Sequence, residues 1–191
     1  MDELPARHPI MRHDHDRTLR IADHGAEQRL SYGDVLAFHQ GDAYWGCAVA
    51  FRALQRAGEL LSRDRLWDRE TLRISSGHPG PGVRDTIECV THSISNGRFT
   101  LSSPGSERRC TSDLKYEWEI SDGRNRVSVR LRDDFVPPEF FGLLDTLETN
   151  PETVEARNRI EALKQMLIEK IWREPLEESF PGSVLETAPR N

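Results

Sequence analysis

The sequence predicts an α+β protein: a mainly antiparallel sheet with helices packed on it, followed by a long C-terminal helix. Three observations carry this expectation. LKYEWEI and RVSVRL both alternate apolar with polar residues and flank SDGRN, whose Asp-Gly is a hairpin signal. Apolar stripes at three- and four-residue spacing run on both sides of that hairpin. The elements then fall in the order α, α, β, α, β, β, β, α, α, which is an α+β pattern.

Taken in order, residues 1–30 are rich in charge and histidine with little periodicity, and they predict an irregular N-terminal arm. Ser31 caps a short helix, YGDVLAFH. After Gly41 comes a longer helix in which Cys47, Ala50, Phe51, Leu54, Ala57 and Leu61 share one face. Gly58 weakens that helix late and allows a close approach. TLRIS alternates as a strand, and SGHPGPG ends it. A further helix over 83–94 places Val83, Ile87, Val90 and Ile94 on its inner side. NGRFTLSS is a turn and a short strand. In the hairpin, Leu114, Tyr116, Trp118 and Ile120 face Val127, Val129 and Leu131. Pro137 and Pro138 open a helix through EFFGLLDTLET. The final helix begins at Asn150 with Pro151 in its first turn, and it buries Ala156, Ile160, Leu163, Leu167 and Ile171. Pro175 stops it, and the tail from Glu174 is expected to be loosely ordered. The organisation is thus an arm over 1–30, a core over 31–149, and a C-terminal helix and tail over 150–191.

The chain has 191 residues, 36% hydrophobic and 30% charged, which suits one soluble domain with a well-solvated surface. Its net charge of −6 argues against nucleic acid as a partner, since phosphate-backbone binding needs an excess of Lys and Arg. No apolar run serves as a signal peptide or spans a bilayer, so no membrane partner is expected and cytoplasmic residence is. Cys47, Cys89 and Cys110 are odd in number and far apart, which disfavours a disulfide framework.

FHQGDAYWGC gathers Phe38, His39, Asp42, Tyr44, Trp45 and Cys47 where a loop meets a helix N-terminus. Free backbone N–H groups and the helix dipole favour an anion or thiolate there. His39 and Asp42 are candidates for metal ligation or proton transfer. The alternative is a helix entrance in which Asp42 caps the helix and Tyr44 and Trp45 staple it to the core. Cys89 and His92, three apart, project side by side from one helix and could complete a metal site with His39 and Asp42. Alternatively, Cys89 packs as a small apolar residue and His92 ends its helix. GHPGPGVRD lacks the Lys-Ser or Lys-Thr of a P-loop, and Pro79 and Pro81 remove donors. It is a constrained turn carrying His78. RHDHDR holds an H-x-H pair in a polar arm, and ERRC, with Cys110, is a solvated loop. No nucleophile elbow, nucleotide fingerprint or CxxC pair is present, so catalytic residues are unassigned.

The opening stretch, the helix after it and the hairpin together resemble the family of the formylmethanofuran dehydrogenase E subunit. That family has F-H-G-H-x-C-P-G-x-x-x-G-x-R, then a segment like C-x-V-D-A-I-Q-x-x-T-G-C-T-x-G, then strands of the types G-K-x-A-x-x-F and V-R-V. AFHQGDAYWGCAVAFRAL keeps Gly41, Gly46 and Arg52, and with one residue inserted Phe38 and His39 match as well. GVRDTIECVTHSISNGRFTL keeps Asp85, Ile87 and Thr91. The resemblance covers about residues 31–132. The departures fall on the family's ligand positions. Without the insertion, Gln40 and Asp42 stand at its two histidines, Tyr44 at Cys and Trp45 at Pro, and with it His39 serves as the first His; Gly82 stands at the first Cys of the second motif, and His92 and Ser93 at its Gly-Cys.

The resemblance implies a divergent member whose zinc or iron site is lost, or rebuilt from His39, Asp42, Cys89 and His92. The leading expectation is a ligand-binding or accessory protein with an aromatic-lined pocket at the helix mouth, formed by His39, Asp42, Tyr44, Trp45, His78 and His92 and taking a small molecule. A second is a metal-dependent enzyme acting on a small one-carbon or sulfur-containing substrate. A third is a structural homodimer through the helix 151–173, whose stripe Met166, Ile168 and Trp172 widen.

Overall fold

The computed structural model of the chain describes residues 17–102 and 115–187. The histidine pair of the N-terminal arm, Cys110 and Leu114 lie outside the described residues. The first two elements form a hairpin, β1 (Thr18–Asp23) and β2 (Ala26–Ser31), joined by His24 and Gly25. Both turn residues have positive φ, 49° and 79°, as a two-residue turn with the strand twist requires. Residues 18–30 are therefore a paired ribbon, where irregular chain was expected. Leu19 and Ile21 point into the core and the outer residues are polar, an alternation too short to stand out beside the charge of the segment.

Ser31 then caps α1 (Tyr32–His39) with a reciprocal capping box: its hydroxyl accepts from the Asp34 N–H, and Asp34 accepts from the Ser31 N–H. The long helix α2 (Tyr44–Leu61) follows, buried without a break from Cys47 to Leu54. The predicted stripe is inside, and so are the residues between its members, because α2 is packed on every side. Gly58 lets the Trp67 indole approach so closely that a Cβ would meet it at 3.2 Å.

Strand β3 (Arg73–Ser76) leads through the Pro-Gly turn into α3 (Pro81–Thr91), and then come β4 (Phe99–Leu101), β5 (Glu117–Ser121) and β6 (Asn125–Arg130). Helix α4 (Pro138–Thr149) and helix α5 (Val154–Arg173) pack antiparallel, clasped by Arg159 and Glu139 at 2.6 and 2.9 Å. Helix α5 begins four residues later than predicted. Asn150 ends α4, its N–H bonding the Thr146 carbonyl, and the next residues are used to reverse the chain. The inner face of α5 is Ala156, Ile160, Leu163, Leu167 and Ile171, as the spacing predicts.

The tail is ordered through Thr187, contrary to expectation. A turn of helix, α6 (Leu176–Ser179), and a strand, β7 (Gly182–Thr187), close the chain, with Phe180 fully buried between them. The sheet order is β4-β3-β5-β6-β7, antiparallel except for β3 with β4. Register pairs Trp118 with Val129 and Ile120 with both Val127 and Ile74, giving one buried face. Arg73, Glu119, Arg126 and Arg130 are exposed on the strands between those positions. The protein is α+β. No helix among the described residues is long and apolar enough to cross a membrane.

Arg52 is the charged side chain sealed into α2. Its Nε donates to the Ile171 carbonyl at 3.2 Å and an Nη to the Glu174 carbonyl at 3.1 Å. It thereby caps the C-terminal end of α5, where unpaired carbonyls and the dipole favour a cation. Trp172 turns inward from α5 against Tyr32 and Phe51, with ring centroids 5.1 and 6.1 Å apart, and Ile168 packs on the same core. Much of the widened α5 stripe is thus used within the chain, while Met166 is exposed. Arg52→Met strands these carbonyls, and each orphaned buried acceptor costs about 1–3 kcal/mol. Urea unfolding followed by circular dichroism should show stability lowered by about 2–4 kcal/mol.

Candidate functional site

His39 is buried at the end of α1. Its Nε2 accepts the Ala43 N–H at 3.1 Å, so the ring proton sits on Nδ1, which lies 2.6 Å from Asp85 Oδ2. One imidazole therefore closes the α1–α2 loop and ties it to α3. Both nitrogens are occupied, which leaves no lone pair for a metal. Asp42 is exposed and does not cap α2: Ala43 holds the cap position, with no side-chain bond.

The aromatics of the stretch do staple the helix. Trp45 is 3% exposed; its Nε1 donates to the Tyr116 hydroxyl at 3.0 Å, and its ring stacks on Phe135 at 6.0 Å. His78 lies flat on Tyr116 at 4.2 Å, and its Nδ1 accepts from the Gly80 N–H. These rings pack on one another, with Tyr116 in contact with both Trp45 and His78. Tyr44 is half-buried, and its carbonyl accepts from the Tyr32 hydroxyl.

His92 and Cys89 lie elsewhere. Helices α1 and α3 run antiparallel, with His39 beside Asp85 and Asp34 close enough to act on the Cys89 thiol. His92 is the exposed left-handed C-cap of α3, φ 52°. It sits seven positions beyond Asp85, about 10 Å along the helix. His92 therefore stands apart from His39 along α3, so the four candidate ligands do not form one cluster, while Trp45 and His78 of the expected pocket residues meet on Tyr116. The two thiols are also poor ligands. Burial pushes Cys47 up to about 12 and raises Cys89 above the usual thiol range.

Gly82 has its own explanation. A Cβ there would lie 2.3 Å from the Ala43 carbonyl and 2.9 Å from the Cys47 nitrogen, and one on Gly46 would meet Gly82 and Val83 at 3.3 Å. The N-terminal turns of α2 and α3 cross backbone to backbone, so a cysteine at 82 has no room. Ser93 is buried, its hydroxyl oxygen accepting from the Thr91 hydroxyl. Among the described residues the group that could surround a cation is different: Asp23, His24 and Glu70, with ligand atoms within 4.8 Å of one another. It lies on the β1–β2 turn with His24 exposed, and Asp23 is already paired with Arg69 at 2.8 Å.

A cavity of about 750 Å³ opens instead between the hairpin, α2 and the end of α5. Leu19, Leu54, Leu66, Trp67, Trp172 and Leu176 supply its apolar lining. Arg20, Arg29, Arg52, Arg173, Glu59 and Glu174 supply its charge. Gln55 and Trp67 hold β1 in place by donating to the carbonyls of Thr18 and Arg20, at 2.8 and 2.6 Å. Much of this cavity comes from segments that the sequence left as arm and tail. The signal that could have exposed it was the Leu19–Ile21 alternation ending in His-Gly.

Fold and cavity together define an α+β protein with an arginine-bearing cleft. No protein-family model matches the chain, and no curated protein matches it. Among solved structures it is similar to the crystal structure of an FmdE-like protein from Syntrophus aciditrophicus, a relative of the E subunit of tungsten formylmethanofuran dehydrogenase. The identity is 17%, covering 84% of this chain and 74% of that chain, with a TM-score of 0.48. That likeness is a structural relationship and assigns no family.

Two expected outcomes follow. Gly82→Ala forces α2 and α3 apart and should cost about 3 kcal/mol in urea unfolding, as overpacking at a backbone contact does. The second concerns His78, whose pKa burial lowers to about 4. The unfolded imidazole, with its ordinary value near 6.5, binds a proton as pH falls through that value, and the native one does not until about 4. Its contribution is complete above pH 6.5 and lost between about 6.5 and 4, a drop on the order of 3 kcal/mol. His78→Gln should flatten the fall of the urea midpoint over that window relative to the parent protein.

Proposed function

We propose that the protein is a ligand-binding accessory protein, a divergent relative of the formylmethanofuran dehydrogenase E subunit, whose ligand occupies the cavity between β1–β2, α2 and the end of α5. The observation that carries this reading is the cavity itself. Its size falls in the range of small-molecule sites, and it combines an apolar lining with a few fixed polar groups, as such sites do. Its walls are held rigidly, by Arg52 at the α5 terminus and by Gln55 and Trp67 at β1. The mouth of α2 is a joint: His39 is committed to Asp85 and the Ala43 N–H, Trp45 to the Tyr116 hydroxyl, and His78 to the Tyr116 ring and the Gly80 N–H.

The test is an uncharged fluorescent probe, N-phenyl-1-naphthylamine, which needs only apolar volume. Excitation of tryptophan should give energy transfer to the bound probe, since Trp67 and Trp172 line the cavity. Glu59→Trp places a bulky ring on the exposed lip of α2 and should weaken binding by roughly tenfold, about 1.4 kcal/mol. No saturable transfer, or transfer indifferent to Glu59→Trp, would remove this cavity as the site.

A further inference from the structure

Arg20 and Arg29 are direct register partners across the β1–β2 ladder, and both line the cavity. Directly opposed partners have their Cβ atoms about 5 Å apart, and two like charges placed so destabilise a hairpin. A single carboxylate, that of Glu27, acts on both. Glu27, one pair along on the same face, holds Arg20 by two contacts of 2.6 Å, and this hydrogen bonding keeps the Glu27 carboxyl below its usual range. Arg29 is exposed and makes no hydrogen bond or ion pair with another described residue.

The acids of the cavity do not answer it. Glu59 is paired with Arg56 at 3.0 Å and Glu174 with Arg132 at 2.9 Å. Arg173 adds a further cation to the lining, with the Glu169 carboxylate 3.8 Å from it. Arginines thus outnumber glutamates in the lining, four to two, on a chain whose net charge is −6, and an excess of one sign in a concave site concentrates the opposite sign.

We propose that the cavity takes an organic anion with an apolar body. Its oxyanion lies against the Arg20–Arg29 pair, and its apolar part rests on the half-buried Leu66, Trp172 and Leu176. This deepens the reading of the cavity as the ligand site and depends on it. The oxyanion supplies a second counter-charge to two guanidiniums that share the one carboxylate of Glu27, and a guanidinium fork fits a carboxylate or a phosphate through two parallel N–H donors.

Two probes that share one scaffold separate the claims. 8-Anilinonaphthalene-1-sulfonate is the uncharged N-phenyl-1-naphthylamine with a sulfonate added, so the difference in their affinities reads the anion contribution alone. The sulfonate should bind at least several-fold more tightly at low salt, and the gap should close as salt rises. Arg29→Gln should weaken the sulfonate several-fold and leave the uncharged probe unchanged, which also shows that the variant is folded. Glu27→Gln frees the Arg20 guanidinium and should tighten the sulfonate, an outcome that a merely structural role for Glu27 would not produce. Displacement of the sulfonate by 1-naphthoate or by 1-naphthyl phosphate then identifies the head group, and either supports the proposal. If the uncharged probe binds but the sulfonate gains nothing, or Arg29→Gln leaves it unmoved, the anion assignment is overturned while the cavity stands as a site. If neither probe binds, the cavity reading itself has failed.

Discussion

Helix α2 is buried around its circumference from Cys47 to Leu54, and the other elements are arranged by that constraint. A helix with no solvent-facing side needs apolar neighbours all round. Here the sheet covers it through β6, α5 packs beside it, the β1–β2 hairpin and β7 close on it, and α3 crosses its first turn. The crossing is possible because Gly46 and Gly82 meet without side chains, which brings the Ala43 carbonyl and the Cys47 nitrogen against the α3 backbone. The one guanidinium inside the helix, on Arg52, is tolerated because it serves as the C-terminal cap of α5. A buried charge is costly unless it is hydrogen-bonded, and α5 offers unpaired carbonyls at that point.

This arrangement explains why the chemically richest stretch of the chain is a joint. Loop 40–43 must turn α1 into α2 within a few residues, and His39 does so by bonding a loop N–H with one ring nitrogen and an α3 carboxylate with the other. Trp45, Tyr116, His78 and Phe135 then fill the space beneath. Residue types that carry catalysis in other settings here satisfy buried polar groups and pack against rings. The void lies at the other end of α2, where the hairpin and the end of α5 lean against the helix and leave room between them.

The two regions also differ in electrostatics. At the joint, each polar group has a partner of matching character, and burial keeps His78 neutral down to a pH of about 4. At the cavity, register forces Arg20 and Arg29 together, and the nearby carboxylates are mostly engaged elsewhere. Fully paired polar groups rigidify a fold, whereas an uncompensated one invites a counter-ion.

Local patterns in the chain were enough to determine α1, α2, the β5–β6 hairpin and the inner face of α5, down to Ser31 as a cap and Ala156, Ile160, Leu163, Leu167 and Ile171 as core, whereas α3 ends at Thr91, capped by the left-handed His92, and leaves the expected Ile94 beyond it. These follow from periodicity and capping, which act within a few residues. The ordered hairpin at 18–31 and the strand at 182–187 were not legible in that way. Both are short, and they hold their form by pairing and by docking on α2 and β6. The α5 start shifted for a similar reason: the chain had to reverse before α5 could pack on α4. Tertiary structure alone decided which candidate residues meet. It separated His39 from His92 along α3, and it brought Arg20, Arg29 and Arg52 to one cavity from distant parts of the chain. Sequence patterns record which face of an element is apolar, whereas convergence between elements depends on how those faces stack, and that is settled by packing.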